Sequence, residues 1–230
     1  MSLFVISDLH LSLSSKKPMD IFPGWTDYVN ILKKNWYETV KKEDTIVICG
    51  DISWGMNLNE SIKDFEFINS LPGEKIILKG NHDYWWTTVK KIENFFLDNN
   101  FNTIKILQNN SIESQNYCIC GTRGWLAKPQ CDHDLKIIKR EVERLKLSLK
   151  SAEKSKLEKI VFLHYPPVYF KERNEIMDIL IKNKIKYCYY GHIHTHNIKP
   201  YLVDNVRFEL ISCNYLNFRP KLISRKNRLS

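Results

Sequence analysis

Eight short apolar runs rich in β-branched residues recur along this chain, and five of them end on a compact polar cluster. The runs cover 3–6, 45–49, 75–78, 104–107, 117–120, 160–163, 187–190 and 206–211. Most are continuous rather than alternating, the pattern of strands covered on both faces. The clusters that close them are Asp8-Leu9-His10, Gly50-Asp51, Gly80-Asn81-His82-Asp83, His164 and Gly191-His192-Ile193-His194. In α/β sheets functional residues gather beyond the carboxyl ends of the strands. Five strand ends therefore aim polar side chains toward one rim, and three of the clusters open on a glycine, where backbone must turn sharply or approach closely.

Helical periodicity separates several of the strands, which favours an α/β architecture with layered sheets. Tyr28, Ile31, Leu32, Trp36 and Val40 make one apolar face, with Thr26 or Asp27 placed to cap it. Ile62, Phe65 and Ile68 make a second, which stops at Pro72-Gly73; Val89, Ile92 and Phe96 make a third. Leu135, Ile138, Val142, Leu145 and Leu149 make the longest, on a helix otherwise crowded with Lys, Arg and Glu. That helix reads as one packed face and one solvated face rather than a dimerisation seam. The stretches 12–25 and 125–133 read as loops.

At 230 residues and 43% hydrophobic the chain can bury a full core, and it reads as one domain over residues 1–230. The formal charge of +9 would suit a phosphate-bearing partner, yet the basic residues are mostly lysines spread along the whole length. That is a compositional bias rather than a built patch. Six cysteines without a CxxC pair fit a reduced, cytoplasmic protein. No run approaches the ~20 apolar residues that span a bilayer. The first apolar run delivers Asp8 and His10 at once, so removal of a leader there would remove the chemistry. The expectation is a soluble protein with no membrane partner.

Five of the seven histidines fall inside the clusters. Histidine, carboxylate and a neutral amide oxygen are the mixed N/O donors that a hydrolytic two-metal centre needs. Taken singly, each cluster is more often a turn after a strand; together, in this order, they point to a metal site. The ordered set DxH, GD, GNHD, H and GHxH resembles the calcineurin-like metallophosphoesterase superfamily, over Asp8 to His194. The resemblance implies a four-layer α/β/β/α sandwich of two mixed β-sheets flanked by helices, with the tail 206–214 closing the second sheet. It also implies two divalent ions, drawn from Mn, Fe, Zn, Co or Ni. Asp8, His10 and His194 would hold the first, Asn81, His164 and His192 the second, and Asp51 would bridge them. A hydroxide between the two metals would attack phosphorus in line with the leaving oxygen. His82 would contact the phosphoryl group and assist the leaving group, with Asp83 orienting its imidazole and favouring the charged form.

The implied activity is metal-dependent hydrolysis of phosphomonoester or phosphodiester bonds in a small-molecule substrate. Nucleic acid, cleaved by a nuclease, is the alternative. A catalytically silent scaffold for protein partners is a third reading, disfavoured because all seven ligands and His82 are kept. Where many relatives carry an acid or Asn in the form GDxxD or GDxxN, this chain has Gly50-Asp51-Ile52-Ser53-Trp54. Trp54 cannot ligate metal, and it reads as a wall of the cleft together with Trp85 and Trp86, which otherwise pack inward. The combination GDISW, GNHDYWW and GTRGW looks like a prokaryotic subgroup described only as predicted phosphohydrolases. Arg123, in Gly121-Thr122-Arg123-Gly124-Trp125, is the candidate for an extra phosphate contact, since guanidinium gives bidentate recognition. A structural salt bridge under the loop is its alternative. His133 and His196 carry no expected role.

Overall fold

A computed structural model describes residues 1–126, 129–167 and 173–225. Strands and helices follow in the order β1 (Ser2–Ile6), α1 (Tyr28–Thr39), β2 (Thr45–Cys49), α2 (Ile62–Ser70), β3 (Glu74–Leu78), α3 (Val89–Asp98) and β4 (Ile104–Ile106). The second half runs β5 (Ile112–Ser114), β6 (Tyr117–Thr122), α4 (Asp132–Ser151), β7 (Glu158–Leu163), α5 (Glu175–Lys182), β8 (Tyr187–Tyr190), β9 (Tyr201–Val203), β10 (Val206–Leu210) and β11 (Lys221–Arg225).

Two mixed sheets result. The first has the order β11-β1-β2-β3-β4, with β1 to β4 parallel and β11 antiparallel to β1. The second has the order β5-β6-β7-β8-β10-β9, parallel in its middle and antiparallel at both edges. Three separate apolar layers show why the runs were continuous. Phe4, Ile6, Ile46, Ile48 and Ile77 face Leu32, Trp36, Phe65, Ile92 and Phe96 of α1, α2 and α3. Their neighbours Leu3, Val5, Val47, Cys49, Ile76 and Leu78 face the other way, onto Ile119, Ile160, Phe162, Tyr189 and Ile211 of the second sheet. The far side of that sheet, with Cys118, Val161, Leu163 and Phe208, takes Val142, Leu145, Leu149, Met177 and Leu180 of α4 and α5. Period-two side-chain alternation thus fills two different cores from one strand, and the architecture is the expected α/β/β/α sandwich.

Several local expectations need correction. The buried face of α4 runs through Ile137, Glu141, Val142, Leu145, Ser148 and Leu149, and Leu135 is 43% exposed. Val142, Leu145 and Leu149 are buried as expected and Ile138 packs against the same core, so only Leu135 lies outside the stripe, while two inward positions turn out to be polar. Glu141 accepts from Thr122 Oγ1 at 2.6 Å and pairs with Arg144 at 2.7 Å. Ser148 Oγ accepts from Gly121 N at 2.9 Å and donates to Asn110 O at 2.7 Å. At α1, Asp27 occupies the capping position in a left-handed conformation (φ 55°) and caps no backbone group; its carboxylate takes the Asn30 side-chain amide instead. The edge strands β5, β9 and β11 had no sequence signal strong enough to mark them, being short or one-sided. Within the loop 125–133, residues 127–128 lie outside the described residues, and α4 already begins at Asp132. No helix among the described residues is long and apolar enough to cross a membrane.

Candidate metal centre

The clusters meet at the seam between the two sheets. Asp8 and His10 follow β1, Asp51 follows β2, and Asn81 and His82 precede α3 on the loop after β3; His164 follows β7, and His192 and His194 follow β8. Parallel pairing of β1 with β2 continues past the strand ends and fixes the first two clusters side by side. Asp8 N donates to Gly50 O at 3.0 Å, His10 N to Asp51 O at 2.9 Å, and Trp54 N to Leu11 O at 2.8 Å. Gly191 N donates to His164 O at 3.1 Å and joins the β7 and β8 loops, and Cys213 N donating to Ser7 O at 2.8 Å ties this second sheet to the end of β1.

Two trios of donors form. Asp8, His10 and His194 bring ligand atoms within 4.8 Å of one another, and so do Asp51, His164 and His192. His10 Nε2 and His194 Nε2 stand 3.2 Å apart. Asn81 Oδ1 lies 2.7 Å from His164 Nε2, which adds the amide oxygen to the second trio. Asp51 Oδ2 is 3.8 Å from His10 Nε2 and 3.4 Å from His164 Nε2, so one carboxylate oxygen faces both trios. Donors about 2.1 Å from a shared ion and at right angles to each other sit roughly 3 Å apart, so the spacing and the donor chemistry fit two N/O-coordinated divalent ions.

Hydrogen bonds behind the donors fix their orientation, which is how metal sites set tautomer and aim. His164 Nδ1 donates to Cys49 O at 3.0 Å and His194 Nδ1 to Asn214 Oδ1 at 3.0 Å, so in each ring Nε2 is the nitrogen turned toward the centre. Asp8 accepts from His192 N at 3.0 Å and from Ser212 Oγ at 2.9 Å. Asp51 Oδ1 accepts from His82 N at 2.8 Å, which leaves Oδ2 free for the cleft. Burial lowers His10 to about 3 and His192 to about 4, so both are neutral donors. Burial opposes charge on His164 as well, but the Asp51 carboxylate outweighs it and raises His164 to about 9. Asp51 itself is pushed up by burial and pulled further down by His164, ending below the usual carboxylate range. An ion at the second trio would therefore displace a proton from His164.

The backbone of the site is strained in a way the sequence did not reveal. Asp8 (φ 59°), His10 (46°), Asp51 (50°) and His192 (69°) all occupy the left-handed region, which costs free energy outside glycine. The glycines serve close approach. A Cβ on Gly80 would lie 2.1 Å from Asp51 Oδ1, and one on Gly191 would lie 2.4 Å from Asp8 Oδ2.

His82 lies beside the first trio, 5.7 Å from His10 between ring centres, half-buried, with Nδ1 3.3 Å from Tyr84 Oη. Burial lowers its pKa, against the raising effect of Asp51. Asp83 does not orient this imidazole. Its carboxylate is fully buried and accepts from Asp51 N, Ile52 N, Gly80 N and Trp85 Nε1 at 2.7–3.0 Å. Burial, and then the charge of Asp51, push it up to about 6. Asp83 ties the β2 and β3 loops together because loop N–H groups that lie beyond the sheet need an acceptor.

Of the three tryptophans expected to wall the cleft, Trp54 does so, stacked on His10 at 5.0 Å and 23° and 4.6 Å from His82. Trp85 packs inward, edge-on to Phe65, and Trp86 donates to Gln108. Trp25 takes the vacant role: it lies edge-on to His10 at 5.9 Å and to His194 at 5.7 Å. It belongs to the loop 12–25, whose irregular sequence gave no hint of this. Tyr165, directly after His164, covers His192 with ring centres 4.1 Å apart. Arg123 is not brought to the trios. Its guanidinium lies 4.6 Å over the Trp125 ring and 3.5 Å from Glu141, while its Nε and Nη2 are buried without a hydrogen-bond partner. His196 lines the cleft beside His194, and His133 is exposed on α4.

With this geometry in place, comparison with known proteins gives one clear family. The profile described as calcineurin-like phosphoesterase matches residues 1–196. Among solved structures, the chain is similar in fold to a protein of unknown function, AQ665 from Aquifex aeolicus, at 18% identity and TM-score 0.52, covering 96% of this chain and 95% of that one. It is similar also to phosphopantetheinyl hydrolase, PptH, from Mycobacterium tuberculosis, at 13% identity and TM-score 0.59, covering 100% and 98%. TT1561 of Thermus thermophilus aligns at 10% identity and TM-score 0.60, covering 96% and 97%. No curated protein sequence matches the chain significantly.

Proposed function

The chain belongs to the calcineurin-like phosphoesterase family, and from that premise we propose that it is a binuclear, metal-dependent phosphohydrolase of phosphomonoester or phosphodiester bonds in small molecules. The observation that supports this reading is that Asp51 Oδ2 lies 3.8 Å from His10 Nε2 and 3.4 Å from His164 Nε2, joining the Asp8–His10–His194 trio to its own trio with His164 and His192. Asp8, His10 and His194 would hold one divalent ion and Asn81, His164 and His192 the other, with Asp51 available to both. Bound ions of this kind supply Lewis acidity and a nucleophilic water at neutral pH.

The chain's own residues do the rest. Four imidazoles and an amide leave the two carboxylates Asp8 and Asp51 to offset only part of the ionic charge, so the centre attracts a phosphate. His82, on the open side of the first trio, donates a proton or a hydrogen bond to the departing oxygen. Arg123 takes the other role weighed for it, a structural ion pair with Glu141 at 3.5 Å beneath Trp125. Six free cysteines, five of them buried, suit a reducing cytoplasm.

Hydrolysis of nitrophenyl phosphate with added Mn(II), together with elemental analysis of the purified protein, tests the reading. Activity is expected to vanish with chelator, and His82→Ala is expected to lower kcat by about 10²–10⁴-fold. Full activity in Asp51→Ala would sink it.

A further inference from the structure

We propose that the loop between β1 and α1 forms a leaving-group pocket selective for phosphate esters whose alcohol carries a flat aromatic ring next to the ester oxygen. The inference rests on the phosphohydrolase reading and names its substrate class.

A cavity of about 430 Å³ opens directly on His10, His82 and His194. Its apolar wall is Met19, Phe22, Pro23, Trp25 and Trp54. Four of these five come from the loop 12–25, which reaches over the first donor trio. His82 belongs to this cavity and touches Trp54, so the pocket lies on the side toward which the leaving oxygen departs. A dry cavity of about 150 Å³ accepts one benzene ring. The space here suffices for a ring system together with a phosphoryl group.

The wall favours a flat, apolar occupant over other alcohols. No carboxylate, lysine or arginine lines the cavity among the described residues. Apart from the three histidines at its floor and the indole N–H groups of Trp25 and Trp54, of which Trp54 Nε1 is buried, its polar side chains are His196 and Asn214, and Asn214 Oδ1 is already engaged by His194. A polyol would leave hydroxyls unpaired against indole and phenyl faces, which is costly. A flexible alkyl chain would fit but lose rotamer freedom that a ring does not have. Phe22 is 50% exposed and Ile21 73% exposed, so this loop presents apolar surface at the mouth of the site that packing within the chain does not use. Lys17, whose Nζ sits 5.2 Å over the Trp54 ring and 5.6 Å over Tyr84, places one cation at the rim, outside the apolar wall.

Because phenols are intrinsically better leaving groups than aliphatic alcohols, binding rather than turnover tests the pocket. Calorimetry on the full Mn(II)-loaded chain would compare 1-naphthylphosphonate with methylphosphonate, two unreactive ligands that share the phosphoryl anchor. The naphthyl compound is expected to bind at least about tenfold tighter, from the apolar area it buries. Phe22→Ala, at an exposed position that does not threaten folding, should cut that ratio at least about threefold, and Phe22→Trp should preserve it. Equal affinities for the two ligands, or a ratio untouched by Phe22→Ala, would overturn the pocket. If that happened while nitrophenyl phosphate was still hydrolysed, only this inference would fall; absence of binding and hydrolysis alike would remove the phosphohydrolase reading and the pocket with it.

Discussion

Asp83→Ala separates two roles for the second acid of the GNHD cluster. A residue that orients His82 would, when lost, lower turnover and leave folding intact. The hydrogen bonds give a different expectation. Oδ2 accepts from Asp51 N at 2.9 Å and Gly80 N at 2.7 Å, and Oδ1 from Ile52 N at 2.8 Å and Trp85 Nε1 at 3.0 Å. Truncation strands these four buried donors at about 2 kcal/mol each. Against that loss stands relief of the carboxylate's own penalty. Its pKa, raised to about 6 from 3.8, means that ionisation in the folded state costs about 3 kcal/mol at neutral pH. The balance is a loss of about 5 kcal/mol, a large share of a domain's usual 5–15 kcal/mol. Urea and thermal unfolding of the chelated protein at pH 7, compared with kcat of the Mn(II)-loaded form, read both sides. The expected result is a melting temperature lower by roughly 10–20 °C, with Asp83→Asn intermediate because it retains one oxygen. Unfolding free energy within about 1 kcal/mol of the parent, combined with a large fall in kcat, would refute the hydrogen-bond reasoning and restore the orienting role.

Two further outcomes follow from buried polar groups. Asp64 is fully buried, and burial raises it to about 6 despite hydrogen bonds from Ser53 Oγ and Leu13 N. The folded state therefore holds this proton more tightly than the unfolded chain does. Its contribution is best below about pH 4 and is lost as pH rises through about 6, so Asp64→Asn should gain on the order of 2–3 kcal/mol relative to the parent at about pH 8 and little at about pH 4; an equal effect at both pH values in chelated protein would contradict this. Gly80→Ala should lower metal affinity at least about tenfold, because its Cβ would fall 2.1 Å from Asp51 Oδ1 and 2.2 Å from Asp51 N. Two ions bound at parental affinity in that variant would show that the loops need not approach so closely.

The strands were legible in the periodicity of the chain itself, and the donor set in the ordered polar clusters at their ends and the family resemblance those clusters carry. Continuous apolar runs such as 45–49 require a cover on each face, and that the covers are helices on one side and a second sheet on the other was implied by the family resemblance of the ordered clusters. The five strand ends then had to share a rim. What stayed hidden depends on contacts that only three dimensions supply. Nothing near Glu141 announced that an acid on a helix would turn inward to meet Thr122 and Arg144. Asp83 follows His82 in sequence, and adjacency suggested an acid–imidazole pair, yet successive residues on a tight loop point different ways. Trp25 sits in an aperiodic segment, so its place beside His10 and His194 is fixed by where α1 begins and not by any local pattern.

Strain in the ligand loops connects these levels. Four candidate ligands adopt positive φ, and three of the four, Asp8, Asp51 and His192, adjoin the seam where β1, β2 and β8 end. Left-handed backbone at a strand end turns the chain through a sharp corner, so a side chain that would have continued the pleat is swung into the cleft instead. Asp tolerates this region better than β-branched residues do, and histidine is also enriched there, so the residue types that ligate metal are also among those that survive the corner. The cost of order 1–3 kcal/mol at each strained position must be over-determined by neighbours. Here it is met by the bonds between the β1 and β2 loops, by Asp83 gathering four loop donors, and by His192 N bound to Asp8. A loop held so firmly cannot relax when a donor is deprived of its ion, which is the condition for an arrangement of donors that exists before anything binds. The polar cluster after an apolar run is thus the sequence trace of a backbone corner, and the corner is what makes distant residues converge.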